Sequence, residues 1–228
     1  MDARAYTPEQ MVKCIISPDS LFLDEGKMLL SDEFGKDYAV YFSILSAIAR
    51  GATTRNEIEQ DVGRAVGGHL TRLENDYHLI AKQEPFRARS SKVVRYLIDD
   101  RFYVFWFRFI FKYDYMLQIG SYDMLRKVVL RDYPVFSGKA LERYFRQKFA
   151  EGGAWTRIGS WWDRRGENEI DLVAENELDR TLAVYEVKRD SKRYRGEELD
   201  AKIKTFLSVL GRQASLPVAR GVLSLDDM

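Results

Sequence analysis

Apolar residues recur at helical intervals between residues 38 and 75, and this spacing predicts three short helices. The first helix ends at Gly51, because glycine accepts the left-handed conformation that commonly follows a helix. Thr54 and Glu57 have the spacing of a capping box, which begins the second helix. The third helix is predicted over residues 64–75.

Two strand-like runs follow these helices, at residues 79–82 and 93–98, on either side of a basic loop at 83–92. Three helices followed by a hairpin are the order of a winged helix, which we place at residues 37–100. As a DNA-binding module, it would use its third helix in the major groove and its loop on phosphates. The alternative is a protein-interaction or spacer module with a solvated basic loop. The residues expected to bind nucleic acid here are Arg64, His69, Arg72, Lys82, Arg87, Arg89 and Lys92.

The segments that flank the winged helix have patterns of their own. Residues 1–36 form a leading segment or linker, in which the apolar runs 21–23 and 28–30 predict two short strands around a turn at 24–26. Residues 101–135 are rich in aromatic side chains and predict a helical bridge. Aromatic residues at this density favour a buried core, and stacking on single-stranded bases is the alternative.

Residues 136–228 alternate between helical and strand-like periods and predict a second domain. A helix from Ser137 ends at Gly152-Gly153 and is followed by three strands, a helix and a last strand. The predicted fold class is therefore α/β in the broad sense, of the α+β kind. The predicted elements after the first helix are strands at 155–162, 169–174 and 182–188, a helix at 197–210 and a strand at 218–223.

The composition limits the classes of function. The chain has 228 residues, of which 46% are hydrophobic and 31% charged, as in ordinary globular proteins. Its net charge of +1 means that a polyanionic partner would need a local basic patch. Cys14 is the only cysteine, which excludes an internal disulfide and a cysteine-based zinc site, and we expect a cytoplasmic protein. No apolar run is long enough to predict a membrane span.

An acidic residue near the end of each of two consecutive predicted strands suggests a metal site. Asp171 and Glu186 would supply the carboxylate oxygens that Mg²⁺ or Mn²⁺ prefers. Lys188 lies two residues beyond Glu186 and therefore shares its face of the strand. Glu142, on the preceding helix, would complete the set. Such a site could polarise a phosphodiester and activate water, with Lys188 orienting that water or stabilising the developing charge.

Two alternatives remain open for these charges. Acids and lysines on strand ends are often only a solvated sheet edge. A basic run directly after the strand could hold a phosphate backbone beside the metal, or it could be a solvated loop. The residues of that run expected to bind nucleic acid are Arg189, Lys192 and Arg193.

The order helix, three strands, helix, strand, with Glu142, Asp171, Glu186 and Lys188 at these positions, resembles the PD-(D/E)XK nuclease superfamily. The resemblance implies that residues 136–228 form a restriction-endonuclease-like domain with a mixed sheet. It also implies a role in phosphodiester cleavage for the acids and the lysine.

Two longer blocks, residues 95–109 and 158–171, resemble the C-terminal domain of unknown function found on archaeal-type P-loop ATPases, which bacteria also carry. This resemblance covers residues 11–223. Those relatives have an ATPase domain, whereas this chain lacks the Gly-x-x-x-x-Gly-Lys-Ser/Thr phosphate loop. We therefore expect no ATP hydrolysis by this polypeptide, which would be a separately encoded or truncated tail or would pair with a P-loop ATPase in trans.

Three hypotheses for the function follow. The first is a nucleic-acid-associated protein, with DNA as the expected partner and a Mg²⁺-dependent nuclease-like site. The second is a non-catalytic module that docks DNA or an ATPase and has kept a vestigial nuclease fold. The third is an autonomous winged-helix regulator, which leaves the acids and Lys188 unexplained.

Overall fold

The computed structural model describes residues 7–88, 93–211 and 217–228. Their contacts divide them into two compact units. The first unit contains residues 7–83 and 94–133, and the second contains the remaining described residues. Both helices and strands are present, so the mixed α and β fold class is confirmed.

In the first unit, a series of helices precedes a hairpin of two strands. Its two strands pair antiparallel, from Ile80 opposite Ile98 to Gln83 opposite Arg95. Three helices before this hairpin have the order that the sequence predicts. The bounds are α1 Pro8–Ile15, α2 Phe22–Phe34, α3 Tyr38–Arg50, α4 Arg55–Val62, α5 Gly67–Asn75, β1 Ile80–Gln83 and β2 Arg95–Ile98.

The predicted helix ends in this unit are confirmed at α3 and α4. Gly51 follows α3 in the left-handed conformation, and Thr54 and Glu57 form the capping box of α4. The start of α5 is later than predicted. Val66 is buried and its N–H donates to Oε1 of Glu59 at 3.1 Å, which holds the chain out of the helix until Gly67.

The two strands predicted at 21–23 and 28–30 are wrong, because α2 covers nearly all of both runs as one helix. The glycine that suggested a turn, Gly26, instead lies inside α2 against the indole ring of Trp106. A Cβ at Gly26 would lie 2.3 Å from a Trp106 ring carbon. The indole N–H donates to the carbonyl of Leu23 at 2.9 Å. Gly26 is therefore required for close packing and not for a turn.

The aromatic segment is helical, as predicted, but changes its helix type along its length. It comprises α6 Arg101–Phe105, a π-helical stretch Trp106–Ile110, a 3₁₀ turn Phe111–Tyr113 and α7 Asp114–Gln118. Trp106, Phe107 and Phe109 are buried. The prediction that these rings form a core is therefore confirmed for the π-helical stretch.

A long helix, α8 Tyr122–Glu151, replaces the separate helix that the sequence predicts from Ser137. It continues through Pro134, where proline removes one main-chain donor but the rest of the helix is kept. Residues 134–151 of α8 belong to the second unit. None of the described helices is both long and apolar enough to cross a membrane.

The second unit is built around a four-stranded sheet in the order β3-β4-β5-β6. The first three strands pair antiparallel, and β6 pairs parallel with β5. With residues 134–151 of α8, this confirms the predicted order of helix, three strands, helix and strand. The bounds are β3 Arg157–Trp162, β4 Glu169–Asn176, β5 Thr181–Val187, α9 Gly196–Leu210 and β6 Val218–Leu223.

Each face of this sheet has its own hydrophobic cluster, because alternate residues of a strand point to opposite faces. The α8 cluster contains Leu141, Phe145, Leu172, Ala174, Ala183 and Val187. The α9 cluster contains Phe86, Trp161, Ile170, Val173, Leu182, Val184, Leu199, Ile203 and Phe206. Phe86 belongs to residues 84–88 of the basic loop, and its N–H donates to the carbonyl of Ser160 at 2.7 Å.

Candidate functional site

A bulge in β4 determines where the first acid of the candidate site lies. Gly159 pairs with Val173, but Trp161 pairs with Ile170, so that Asp171 and Leu172 together oppose the single residue Ser160. Such an extra residue bends a strand and redirects a side chain. Asp171 is the redirected residue, at the start of β4 and next to the end of β5.

Asp171 is buried and held from two sides. Its side chain accepts a hydrogen bond at Oδ2 from the N–H of Val187, at 2.8 Å. Its main-chain carbonyl accepts from Nη1 of Arg146 at 3.2 Å. The residue is only 8% exposed. These contacts join the start of β4 to the end of β5 and to α8.

Glu186 lies next to Asp171 and binds one lysine at each carboxylate oxygen. Nζ of Lys188 is 2.6 Å from Oε2, and Nζ of Lys202 is 2.6 Å from Oε1. Lys188 also lies 3.8 Å from Oδ2 of Asp171. The structure therefore brings Asp171, Glu186 and Lys188 together around one ammonium group.

Glu142 lies on α8, and its side chain is only 13% exposed. Its carboxylate is 3.0 Å from Nζ of Lys139 and 4.0 Å from Nη1 of Arg146. Lys139 also lies 3.7 Å from Oε1 of Glu169. The acids of the site thus alternate with basic groups from α8 and α9.

The two central carboxyl groups have opposite pKa shifts. Burial and the negative charge of Glu142 raise the pKa of Asp171 to about 7, against the hydrogen bond from Val187. Burial also acts to raise the pKa of Glu186, but hydrogen bonds from Lys188 and Lys202 outweigh it and lower that pKa. The site therefore favours the ionised form of Glu186 and disfavours the ionised form of Asp171.

A divalent cation at this site would have two carboxylate ligands, Asp171 and Glu186. Within the part of the chain that the structure describes, no group of three or more His, Cys, Asp or Glu side chains could hold a metal ion. Mg²⁺ commonly binds to one or two protein carboxylates and takes its other ligands from water and phosphate. Asp171 and Glu186 have the right chemistry for that arrangement, but a cation must compete with the two lysines for Glu186.

The predicted nucleic-acid residues of the first unit are largely engaged in local contacts. Arg72 lies over the rings of Tyr41 and Tyr77, at 5.7 Å from each centroid. Lys82 is 2.5 Å from Oε2 of Glu74. The ring of His69 packs 5.2 Å from that of Tyr41. Arg64 is exposed but precedes α5, so its predicted place on that helix is wrong.

The predicted nucleic-acid residues of the second unit differ in their exposure. Arg87 is 2.6 Å from Glu175 and 2.7 Å from Glu177, which ties the loop to β4. Arg189 donates to the hydroxyl of Ser137. Lys192 and Arg193 are exposed, on the 3₁₀ turn after β5. Arg89 and Lys92 lie outside the described residues.

Sequence reasoning missed the basic residues that face the acids. Lys202 is the clearest case, because it lies three residues after the buried Leu199 and one before Ile203, on the face of α9 that packs on the sheet. Arg146 lies four residues after Glu142, a spacing at which side chains on a helix meet. Both helical spacings can be read from the sequence. They identify Lys202 and Arg146 as partners of the acids only when the position of the sheet is known.

Part of the chain is similar to a family of proteins whose function is unknown. Residues 106–199 match the model of a family described as archaeal and bacterial proteins of unknown function, DUF234. The similarity includes the candidate site. Glu142, Asp171, Glu186 and Lys188 fall inside the matched range, and Lys202 lies just beyond it.

One relative extends the similarity beyond the matched range. Over 180 residues the chain is 32% identical to an uncharacterized protein of Methanocaldococcus jannaschii. The aligned region covers 75% of this chain and 40% of that relative. The chain therefore spans less than half the length of the curated relative that it matches. No solved structure matches the chain.

Proposed function

We propose that the chain is a nucleic-acid-associated protein with a Mg²⁺-dependent phosphodiesterase site formed by Asp171, Glu186 and Lys188. The observation that carries this proposal is the position of the Lys188 ammonium, 2.6 Å from Glu186 and 3.8 Å from Asp171. Two carboxylates on adjacent strand ends can hold a divalent cation, and an ammonium group beside them can stabilise the negative charge that develops on a phosphate.

We also propose that the two units are a winged helix and a PD-(D/E)XK nuclease-like domain. The topology of the second unit supports the latter, because three antiparallel strands are followed by a helix and a parallel strand. The three helices and hairpin of the first unit support the former. A P-loop ATPase as partner stays a prediction.

Each residue of the site has a distinct role in this proposal. Asp171 and Glu186 would hold Mg²⁺ or Mn²⁺, which supplies a Lewis acid for the phosphate and lowers the pKa of water. Lys188 would release Glu186 and direct its ammonium to the negative charge that develops on the phosphate. Glu142 would act as an auxiliary acid, since its charge is close enough to raise the pKa of Asp171.

The proposal is tested by incubating the purified chain with plasmid, single-stranded DNA and RNA in Mg²⁺ or Mn²⁺. We expect cleavage that stops when EDTA is added. Asp171→Asn and Lys188→Met should each lower the rate by about 100-fold or more, as expected when a metal ligand or a transition-state cation is lost. Asp32→Asn and Lys204→Met change exposed residues and serve as matched controls.

Cleavage that survives in Asp171→Asn and in Lys188→Met would assign the activity to a contaminating enzyme or to another site. Both variants must first give the circular dichroism spectrum of the unchanged chain. A loss of cleavage in the control variants would likewise contradict the assignment, because it would mean that the effect is not specific to the site.

A non-catalytic docking module is the second candidate, and one observation favours it. Both oxygens of Glu186 are held by lysines at 2.6 Å, so that the acid already has strong partners without a cation. This candidate predicts DNA binding that is the same in EDTA and in Mg²⁺, with no cleavage of any of the three substrates. The nuclease proposal predicts cleavage under the same conditions.

A further inference from the structure

Lys202 is a second basic group at the candidate site, and it comes from outside the strands that carry the acids. Its Nζ lies 2.6 Å from Oε1 of Glu186, on the oxygen that Lys188 does not contact. The Lys202 side chain is 26% exposed and that of Glu186 only 7%. A largely buried carboxylate is therefore neutralised from two directions.

The folding of α9 explains how this lysine reaches the sheet. Leu199, Ile203 and Phe206 pack in the α9 cluster and fix the face of the helix that meets β5. Lys202 follows Leu199 by three residues and shares that face. Lys204, two residues further on, is exposed. The packing of the helix thus places Lys202 on the side of α9 that faces Glu186.

The distances indicate that Lys202 occupies a place where a cation would bind. A divalent cation that uses Glu186 must take an oxygen from Lys188 or from Lys202. Lys188 can turn to Asp171, which is 3.8 Å away. For Lys202, Glu186 is the only acid within ion-pair distance among the described residues. Displacing Lys202 would leave a positive charge close to the incoming cation.

We propose that Lys202 is a competing ammonium group that weakens the binding of divalent cations at Glu186. This inference rests on the proposed function, because it assumes that Asp171 and Glu186 hold the cation. Lys202 would thereby set the concentration of Mg²⁺ or Mn²⁺ at which the site fills. It is a regulating residue in this account and makes no contact with the reacting atoms.

The test is a calorimetric titration of Mn²⁺ into the full chain at pH 8 without nucleic acid. We expect Lys202→Met to bind Mn²⁺ about tenfold more tightly or better, because a nearby positive charge and an ion pair are removed. Lys202→Arg keeps the charge and should bind as the unchanged chain does. Lys204→Met should also bind as the unchanged chain does.

Each result has a defined meaning. If Lys202→Met binds Mn²⁺ as tightly as the unchanged chain or more weakly, the role of Lys202 is overturned while the metal site stays in place. No binding to either protein would overturn both the metal site and this inference. Binding only to Lys202→Met would support strong competition. Lys202→Gln also removes the charge but keeps a hydrogen-bond donor for Glu186. It is the second variant, to be used if loss of the ion pair in Lys202→Met lowers the thermal midpoint.

Discussion

The N–H of Val187 donates a hydrogen bond of 2.8 Å to Oδ2 of Asp171, and this contact fixes the first acid of the candidate site against the end of β5. The bulge in β4 makes the contact possible, because Asp171 and Leu172 share one partner residue on β3. An asparagine at 171 can still accept this hydrogen bond through its amide oxygen. Asp171→Asn therefore removes the charge while keeping the local fold.

Gly26 is predicted to resist replacement by alanine, although it lies inside a helix. Alanine normally stabilises a helix by about 0.5–1 kcal/mol relative to glycine. A Cβ at this position would meet the Trp106 ring at 2.3 Å, and overpacking of this kind costs about 1–3 kcal/mol. Gly26→Ala should therefore lower the free energy of unfolding by about 1 kcal/mol in a urea titration, which is the difference between the two effects.

Gly138 provides the matched control for that experiment. It lies inside α8, and a Cβ there would meet no atom within 4 Å. Gly138→Ala should raise the free energy of unfolding by about 0.5–1 kcal/mol. If Gly26→Ala behaved in the same way as Gly138→Ala, the packing of Trp106 on α2 would be contradicted.

Asp163 is predicted to hold the loop that leads into β4. Its side chain accepts hydrogen bonds from the N–H groups of Arg165, Glu167 and Asn168 and from the Asn168 amide, at 2.6–3.2 Å. Asp163→Ala should lower the free energy of unfolding at pH 7 by about 1–2 kcal/mol. Asp32→Ala removes an exposed aspartate and should change it by less than about 0.5 kcal/mol.

The effect of Asp163 should depend on pH in a defined direction. Burial acts to raise its pKa, but hydrogen bonds from Asn168, Glu167 and Arg165 outweigh it and lower that pKa. A lowered pKa in the folded state stabilises the protein above the ordinary aspartate value of about 3.9. The difference between the unchanged chain and Asp163→Ala should shrink as the pH falls through the folded-state pKa. A constant difference from pH 7 to pH 2.5 would contradict this origin.

Phe86 is predicted to be a core residue of the second unit and not part of an exposed wing. It is 5% exposed, and its ring centroid lies 6.1 Å from that of Phe206. Phe86→Ala should lower the free energy of unfolding by about 3 kcal/mol, the usual cost of removing a buried ring. Leu178→Ala, at a residue that is 86% exposed, should change it by less than about 0.5 kcal/mol. Equal effects of the two variants would mean that the loop is not anchored.

Lys192 and Arg193 are predicted to contact phosphates, since both are exposed and follow the strand that carries Glu186. Each phosphate contact contributes about 0.9 to the slope of log K against log salt. Replacing both residues by glutamine should weaken DNA binding and reduce that slope by about 2, measured by fluorescence anisotropy in EDTA. The control changes the exposed Lys27 and Lys36 to glutamine. An unchanged slope in the first double variant would remove these residues from the interface.

The sequence predicted the strands and the last helix of the second unit well, because each has one clear period and ends at glycine or at a polar loop. The strand Val218–Leu223 matches its predicted range at both ends, and α9 begins one residue before the prediction. The error at α2 has a physical cause. Gly26 has the local signature of a turn, and only the distant Trp106 explains why glycine lies inside a helix.

The acids and Lys188 could be selected from the sequence because their spacing follows the period of a strand. Spacing alone does not identify the basic groups that reach the strand acids. Lys202 reaches Glu186, and Arg146 reaches the carbonyl of Asp171, only through the packing of α9 and α8 on the sheet. The engagement of Arg87 with Glu175 was also hidden, because the two residues are far apart along the chain. Long-range ion pairs of this kind leave no periodic signal.

The claim that Asp171 and Glu186 bind one divalent cation is tested most directly by a crystal soaked in Mn²⁺ at pH 8. We predict an anomalous peak within about 2.0–2.4 Å of a carboxylate oxygen of each residue, with Lys188 or Lys202 displaced from Glu186. A soaked crystal with no anomalous peak between the two carboxylates, and with both lysines still on Glu186, would contradict the account.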